Sequence, residues 1–389
     1  MNRRAILLAL ALASPAAADE GPAKPGTLPL EEVRKALDAP GAHEAFVPKA
    51  PLGITADLKA LISADNPCTP AKVELGRQLY FDPRLSKDST VSCATCHHPA
   101  KGWTDRSPVS TGIGGQKGGR SAPTVMNRAL APVQFWDGRA PSLEAQALGP
   151  IGNPIEMGFS PEEAAKRLNE IPGYKIQFEK VFGGSTGLTA GGPATPDAIA
   201  KSIAAFERTI LAGASPNDYF EIAERWRKAE ADTNESADDK ARRGKAVADE
   251  KARPMGDAAK RGRVLFFGKA QCATCHVGQN FADELYYNLG VGADDPGREK
   301  VTGRAEDHGA FRTMTLRNIA QTAPYMHDGS QKTLLEVVEH YDKGGNPNPN
   351  LSKRIVKLGL TKQEKEDLVK FLEEGLTGEV TKVETPRLP

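Results

Sequence analysis

Five cysteines carry most of the chemistry legible in this 389-residue chain: Cys68, Cys93, Cys96, Cys272 and Cys275. Four of them form two close pairs, each followed directly by histidine, in Cys93-Ala94-Thr95-Cys96-His97 and Cys272-Ala273-Thr274-Cys275-His276. An exported protein could join four such thiols as two disulfides. Zinc would want both pairs gathered at one site, and a redox dithiol needs no histidine after each pair. Spelled twice, C-x-x-C-H is instead the signature of covalent haem c attachment. The two thiols add to the vinyl groups on one edge of a porphyrin, and the adjacent histidine gives the iron its proximal nitrogen. Two covalently bound haem c groups are therefore expected, one on Cys93 and Cys96 with His97, the other on Cys272 and Cys275 with His276. Cys68, in Asn66-Pro67-Cys68-Thr69-Pro70, is left over and reads as a free or solvent-facing thiol with no assigned role.

The segments that must position these motifs also repeat. Gly76-Arg77-Gln78-Leu79-Tyr80-Phe81 precedes the first motif and Gly262-Arg263-Val264-Leu265-Phe266-Phe267 precedes the second. Each looks like the end of an amphipathic helix that feeds a haem loop and packs Leu and aromatic side chains on the ring. The fold expected is mainly α: two cytochrome c-like haem domains related by duplication, with an N-terminal extension.

Residues 1–18 read as a cleaved export signal, with Arg3 and Arg4 before the apolar Ala5–Ala13 stretch and a small-residue site at Ala16-Ala17-Ala18. Export points to the periplasm. Residues 19–70 form the extension, with one short helix near Leu30–Leu37. The first haem domain is expected over 71–194, ending at the Gly191-Gly192-Pro193 break. A helix from Pro196 to Leu211 then opens the second domain, 195–379, and residues 380–389 form a polar tail. The charge-dense stretch 228–257 reads as a solvated helix or mobile linker. Lys plus Arg (51) nearly cancels Asp plus Glu (50), leaving +1. That balance offers no footprint for nucleic acid or an anionic membrane surface. A mean hydropathy of -0.45, with no apolar run near 18 residues beyond the N-terminus, predicts no membrane span.

Two later helices announce themselves by capping boxes, Thr333-Leu334-Leu335-Glu336 and Thr361-Lys362-Gln363-Glu364. In the first, Leu334, Val337, Val338 and Tyr341 fall at i, i+3, i+4 and i+7, one apolar stripe. His340 lies about 100° from Tyr341, toward the polar side. Periodicity alone reads Tyr341 as a core aromatic with a hydrogen-bonded hydroxyl.

Phe135-Trp136-Asp137-Gly138-Arg139-Ala140, Asn153-Pro154-Ile155-Glu156-Met157, Thr315-Leu316-Arg317-Asn318 and Thr322-Ala323-Pro324-Tyr325-Met326-His327-Asp328-Gly329 stand in order between and after the haem motifs. Together they resemble the bacterial di-haem cytochrome c peroxidase/MauG family over roughly residues 71 to 380. That resemblance implies a peroxide site at the first haem, with Glu156 as its acid/base and Gln146 nearby. It places Trp136 between the haems as a relay. It makes Tyr341 the second haem's distal ligand, as in MauG, where the peroxidases have methionine. A thioether favours ferrous iron and raises the potential, whereas an anionic phenolate stabilises oxidised iron. The family also binds calcium between its domains; Thr322 and Pro324 match two of those positions, and Ser121 stands where the third is usually asparagine.

Without the resemblance, Glu156 could be a surface carboxylate and Trp136 an ordinary core side chain. With it, the leading reading is a MauG-like enzyme: hydrogen peroxide oxidises the haem pair to a high-valent state, which oxidises a residue, expected to be tryptophan, on a periplasmic partner protein. A conventional peroxidase, reducing peroxide to water with electrons from a small cytochrome c or cupredoxin, is the second reading, and a non-enzymatic electron carrier the third. Tyr341 favours the first over the second, and Glu156 disfavours the third. One departure stands out. MauG has a tryptophan just before its second haem motif that passes charge to its substrate, whereas this chain has Ala270-Gln271, so charge would need another exit.

Overall fold

The computed structural model describes residues 28–183, 194–229 and 236–389. The export signal, the first residues of the extension and the Gly191-Gly192-Pro193 break lie outside them. Among the described residues the chain is mostly helical, with thirteen α-helices and four strands of two or three residues.

Helices form where the sequence provides caps and pack where it provides small residues. Thr69 caps the helix Pro70–Phe81, with proline in the first turn, a position where the missing N–H costs nothing. Thr195 does the same for Pro196–Glu207. These two helices cross at Gly76, where an added Cβ would lie 1.9 Å from the Ser202 carbonyl oxygen and 2.9 Å from Phe206 Cβ. Asp257–Phe267 meets the helix Lys362–Lys370 in the same way: a Cβ on Gly262 would lie 1.9 Å from the Asp367 carbonyl oxygen and 2.9 Å from Phe371 Cβ. Edge-on aromatic pairs follow at both crossings, Tyr80 on Phe206 at 5.2 Å and Phe266 on Phe371 at 5.3 Å. One packing solution is thus used twice, once before each haem motif.

Buried apolar side chains gather in two main cores. One draws on Leu75, Leu79, Tyr80, Phe81, Trp103, Ile199, Ile203 and Phe206, the other on Phe266, Phe281, Leu334, Val338, Leu368 and Phe371. Ile199, Ile203 and Phe206, beyond the expected boundary at 194/195, pack into the first core. The helix Pro196–Glu207 ends four residues short of the expected Leu211 because Thr209 turns back to bond the Phe206 carbonyl.

The extension forms its helix at Leu30–Leu37, as expected, and seats Val33 and Leu37 against Ala42 and Ala71. The tail is less polar in behaviour than in composition. Val380 pairs with Ala212 in a short antiparallel ladder, Leu388 is buried, and its carbonyl accepts from the Leu28 amide at 2.8 Å. The charge-dense stretch is a helix over Ala237–Ala252, largely exposed. Cys68 is free, the first of the two alternatives, and is fully buried, with its sulfur 3.9 Å from the Ala205 carbonyl oxygen. No helix of the described residues is long and apolar enough to cross a membrane.

Replacing Gly262 by alanine forces a methyl into backbone and should destabilise the protein by about 1–3 kcal/mol, the usual range for overpacking. A thermal melt unchanged from that of the parent chain would show that the crossing is looser than described.

Candidate functional site

Each C-x-x-C-H motif opens onto its own cavity. The first, of about 710 Å³, is lined by Cys93, Cys96 and His97 together with Gln146, Pro150 and Glu156. The second, of about 230 Å³, is lined by Cys272, Cys275 and His276 with Tyr341. Four free thiols, none in a disulfide, flank these cavities. His97 Nδ1 donates to the Trp103 carbonyl at 3.3 Å, and His276 Nδ1 donates to the Phe281 carbonyl at 2.8 Å. A backbone acceptor on Nδ1 fixes the ring and leaves Nε2 as the free lone pair, the arrangement a haem iron requires. Burial lowers the pKa of both imidazoles and so keeps them unprotonated. The residues present fit haem c at both positions.

The helix Leu143–Gly152, capped by Ser142, presents Gln146 and Pro150 one turn apart on the first cavity. Asn153 follows it, and its side-chain amide donates to Glu156 Oε1 at 2.7 Å. Burial raises the Glu156 pKa, against the lowering effects of Arg139 and Asn153. Glu156 is therefore a cavity carboxylate and not a surface one.

The helix Leu334–Asp342 begins at the Thr333 capping box and places Val337, Val338 and Tyr341 on the second cavity. Burial pushes the Tyr341 phenol well up, with the Cys272 and Cys275 sulfurs adding to the effect. The expectation for His340 needs correction. It is buried, with Nε2 donating to the Leu289 carbonyl at 2.9 Å, because the loop around Leu289 covers the flank assigned to solvent.

A single spacing of 191 residues relates the two halves here, Thr124 to Thr315, Asn127 to Asn318, Trp136 to His327 and the caps Ser142 to Thr333. Asn127 and Asn318 share a left-handed backbone conformation. At this spacing Tyr341 answers to Pro150. Where the second cavity offers a phenol, the first offers a side chain with no donor atom for iron.

Trp136 lines both cavities. Its indole N–H donates to the Ser121 carbonyl at 2.8 Å, and the Ser121 amide donates to the His327 carbonyl at 2.7 Å. The His327 ring stacks on Phe311 at 3.6 Å and meets Trp136 edge-on at 6.4 Å. Burial lowers its pKa to about 4, so it is neutral at pH 7. Arg312, also in both walls, donates its amide to the Trp136 carbonyl at 2.8 Å and pairs with Glu284.

Ser121, Thr322 and Pro324 all line the second cavity. Yet the Ser121 carbonyl accepts from Trp136 and the Thr322 hydroxyl donates to the Ile319 carbonyl. Calcium takes six to eight oxygens, carbonyls and waters among them, of which the Ser121 hydroxyl and the Thr322 and Pro324 carbonyls would supply three. Among the described residues no group of three His, Cys, Asp or Glu is arranged to hold a metal. No chemical step is drawn through calcium.

The match to known proteins follows this geometry. A family model described as di-haem cytochrome c peroxidase matches residues 70–225. A methylamine utilization protein MauG from Methylorubrum extorquens is 39% identical over 327 residues, 83% of each chain. The chain belongs to the di-haem cytochrome c peroxidase/MauG family. Cytochrome c551 peroxidase from Pseudomonas aeruginosa is 35% identical over 332 residues, again 83% of each chain. The crystal structure of a MauG-like protein associated with microbial copper homeostasis has a TM-score of 0.68 at 30% identity, covering 88% of this chain and 95% of that one. As a member of this di-haem family the chain carries two haem c groups and is a haem oxidoreductase acting with peroxide.

Two buried groups of the first cavity escaped the sequence reading. Glu207 has an unpartnered Oε2 and a pKa raised by burial to about 8, and Arg128 has an unpartnered Nη1 and a pKa lowered by burial to about 9. A signal for Glu207 existed: it falls four residues after Ile203, on the apolar stripe of its helix. Arg128 opens a single 3-10 turn, Arg128–Leu130, too short to carry such a pattern.

The raised pKa of Glu156 sets a pH dependence. Its carboxylate form, needed to accept a proton, is lost as pH falls through a value above the 4.5 of a free glutamate. The rate of the haem response to peroxide should therefore fall on acidification at a pH higher than 4.5. In Glu156→Gln that rate should drop on the order of 10²–10⁴-fold, the range for general acid–base groups. A Gln variant with the parent rate and pH profile would remove Glu156 from the chemistry.

Proposed function

We propose that this protein is a MauG-like enzyme, which takes oxidising equivalents from hydrogen peroxide at its first haem and delivers them, through its second, to a residue of a partner protein. The observation that carries this reading is the place of Tyr341, whose phenol shares the second cavity with His276 and both haem-attaching cysteines. A phenolate is a hard anionic donor and favours the oxidised metal, where a thioether would favour the reduced one.

When bound, the haems supply the redox chemistry; the chain's residues prepare and direct it. His97 and His276 would each hold one iron, and Tyr341 would give the second a further, oxygen donor. Pro150 offers no ligand on the first, so peroxide has access there. Glu156, held by Asn153, takes the proton from the attacking peroxide oxygen and returns it to the departing one, with Gln146 on the same face to orient it. Trp136, in both walls, relays charge between the two sites. The alternative of a cytochrome c peroxidase has support in the name of the Pseudomonas aeruginosa relative. The export signal and covalent haems support a periplasmic location, and the repeated helix crossings support duplication of one haem domain. Calcium, in this reading, would be held by the Ser121 hydroxyl and the Thr322 and Pro324 carbonyls.

Tyr341→Phe tests the reading. The absorption bands of the second haem should shift while those of the first stay put, and reduced small cytochrome c should not sustain rapid peroxide turnover by the parent enzyme. An unaltered spectrum, or turnover at many cycles per second, would point to the conventional peroxidase.

A further inference from the structure

With Ala270-Gln271 before the second motif, charge has no tryptophan there to leave by. The wall of the second cavity offers another aromatic. The short strand Tyr286–Asn288 pairs with Ala310–Arg312 and sets the half-buried Tyr287 on the same cavity as Cys275, His276 and Tyr341. Its hydroxyl donates to Asp283 Oδ2 at 2.7 Å, and the Asp283 amide donates to the Cys275 carbonyl at 2.9 Å. The Arg354 guanidinium lies 5.1 Å from the Tyr287 ring centroid, 3.6 Å from Asp283 Oδ2 and 3.8 Å from the Cys275 sulfur. A phenol, a carboxylate to take its proton and a cation are thus clamped onto the haem-attachment loop itself.

The cluster also reaches the surface. Val277, which follows His276, Leu285, two residues before Tyr287, and Val356, two residues after Arg354, are all exposed. Of the three tyrosines in this wall, Tyr325, Tyr341 and Tyr287, only Tyr287 donates to a carboxylate among the described residues.

We propose that Tyr287 is the exit for oxidising equivalents, giving one electron to the oxidised haem pair while its hydroxyl proton moves to Asp283. The product is a neutral phenoxyl, so no second positive charge is created beside Arg354. The partner residue then supplies an electron, the proton returns from Asp283, and Tyr287 is restored. Two such passes return the haem pair to rest for each peroxide, whose oxygens leave as two waters once two protons are added. Burial and the Asp283 hydrogen bond both push the phenol pKa up, in keeping with a group that gives up its proton only when its electron leaves. This route rests on the MauG-like reading above and names the residue that reading lacks.

The experiment treats the purified holoenzyme with one equivalent of hydrogen peroxide and a nitroso spin trap. Haem absorbance and the radical spectrum are recorded, and the trapped site is located by peptide mass spectrometry. The parent should show a tyrosyl signal and an adduct on Tyr287. In Tyr287→Phe the haem bands should still respond to peroxide, but the adduct should vanish and the oxidised state should last longer. Asp283→Asn keeps the phenol and removes its proton acceptor, so the tyrosyl signal should form more slowly. Adduct on another residue, in equal yield in parent and Phe variant, would overturn the exit while leaving the peroxide reading intact. Haem bands indifferent to peroxide in the parent would overturn both.

Discussion

One residue ties the two halves of this site together: Ser121, whose carbonyl accepts from the indole N–H of Trp136 at 2.8 Å. The Ser121 amide binds the His327 carbonyl, so the turn of the first half and the corresponding turn of the second are joined through one residue. Ion pairs brace the seam, with Arg120 on Asp137 at 2.7 Å and on Asp295 at 2.6 Å. Arg298 donates to the Asp137 carbonyl at 2.7 Å. A planar, oxidisable ring held in both cavity walls can couple the sites only if it does not swing, and its bond to Ser121 restrains it.

Around that seam the halves diverge at matching positions, and the divergence is where function enters. Pro150 faces the first cavity and Tyr341 the second; Trp136 answers to His327. The shared scaffold, in contrast, is conservative in its mechanics. Gly76 and Gly262 admit a carbonyl at the same place in their helix crossings, and His97 and His276 both bond a backbone carbonyl through Nδ1. Packing and the histidine after each cysteine pair are repeated; the side chains across each cavity, Pro150 and Tyr341, are varied.

Much of this was legible in the sequence because it is local. The C-x-x-C-H motifs are contiguous, the capping boxes at Thr333 and Thr361 span four residues, and the stripe ending at Tyr341 follows from helical period. What escaped depends on contacts between distant segments. His340 lies off the apolar stripe, yet the Leu289 loop, some 50 residues earlier, buries it. Cys68 sits among prolines typical of a surface loop, but the helix Pro196–Glu207 covers it. A glycine-proline break reads as a boundary, yet side chains of the helix beyond it pack into the first core. The Tyr287, Asp283 and Arg354 cluster joins a strand, a loop and a segment some 70 residues later, so no window of sequence contains it.

The role proposed for Trp136 is to make two haems one redox unit. Adding one equivalent of hydrogen peroxide to the purified protein and following the absorption bands of both haems by rapid mixing tests it most directly. In the parent chain both sets of bands should change together, and in Trp136→Phe the second haem should lag behind the first. Bands of the second haem that never move, or that move identically in the Phe variant, would contradict it.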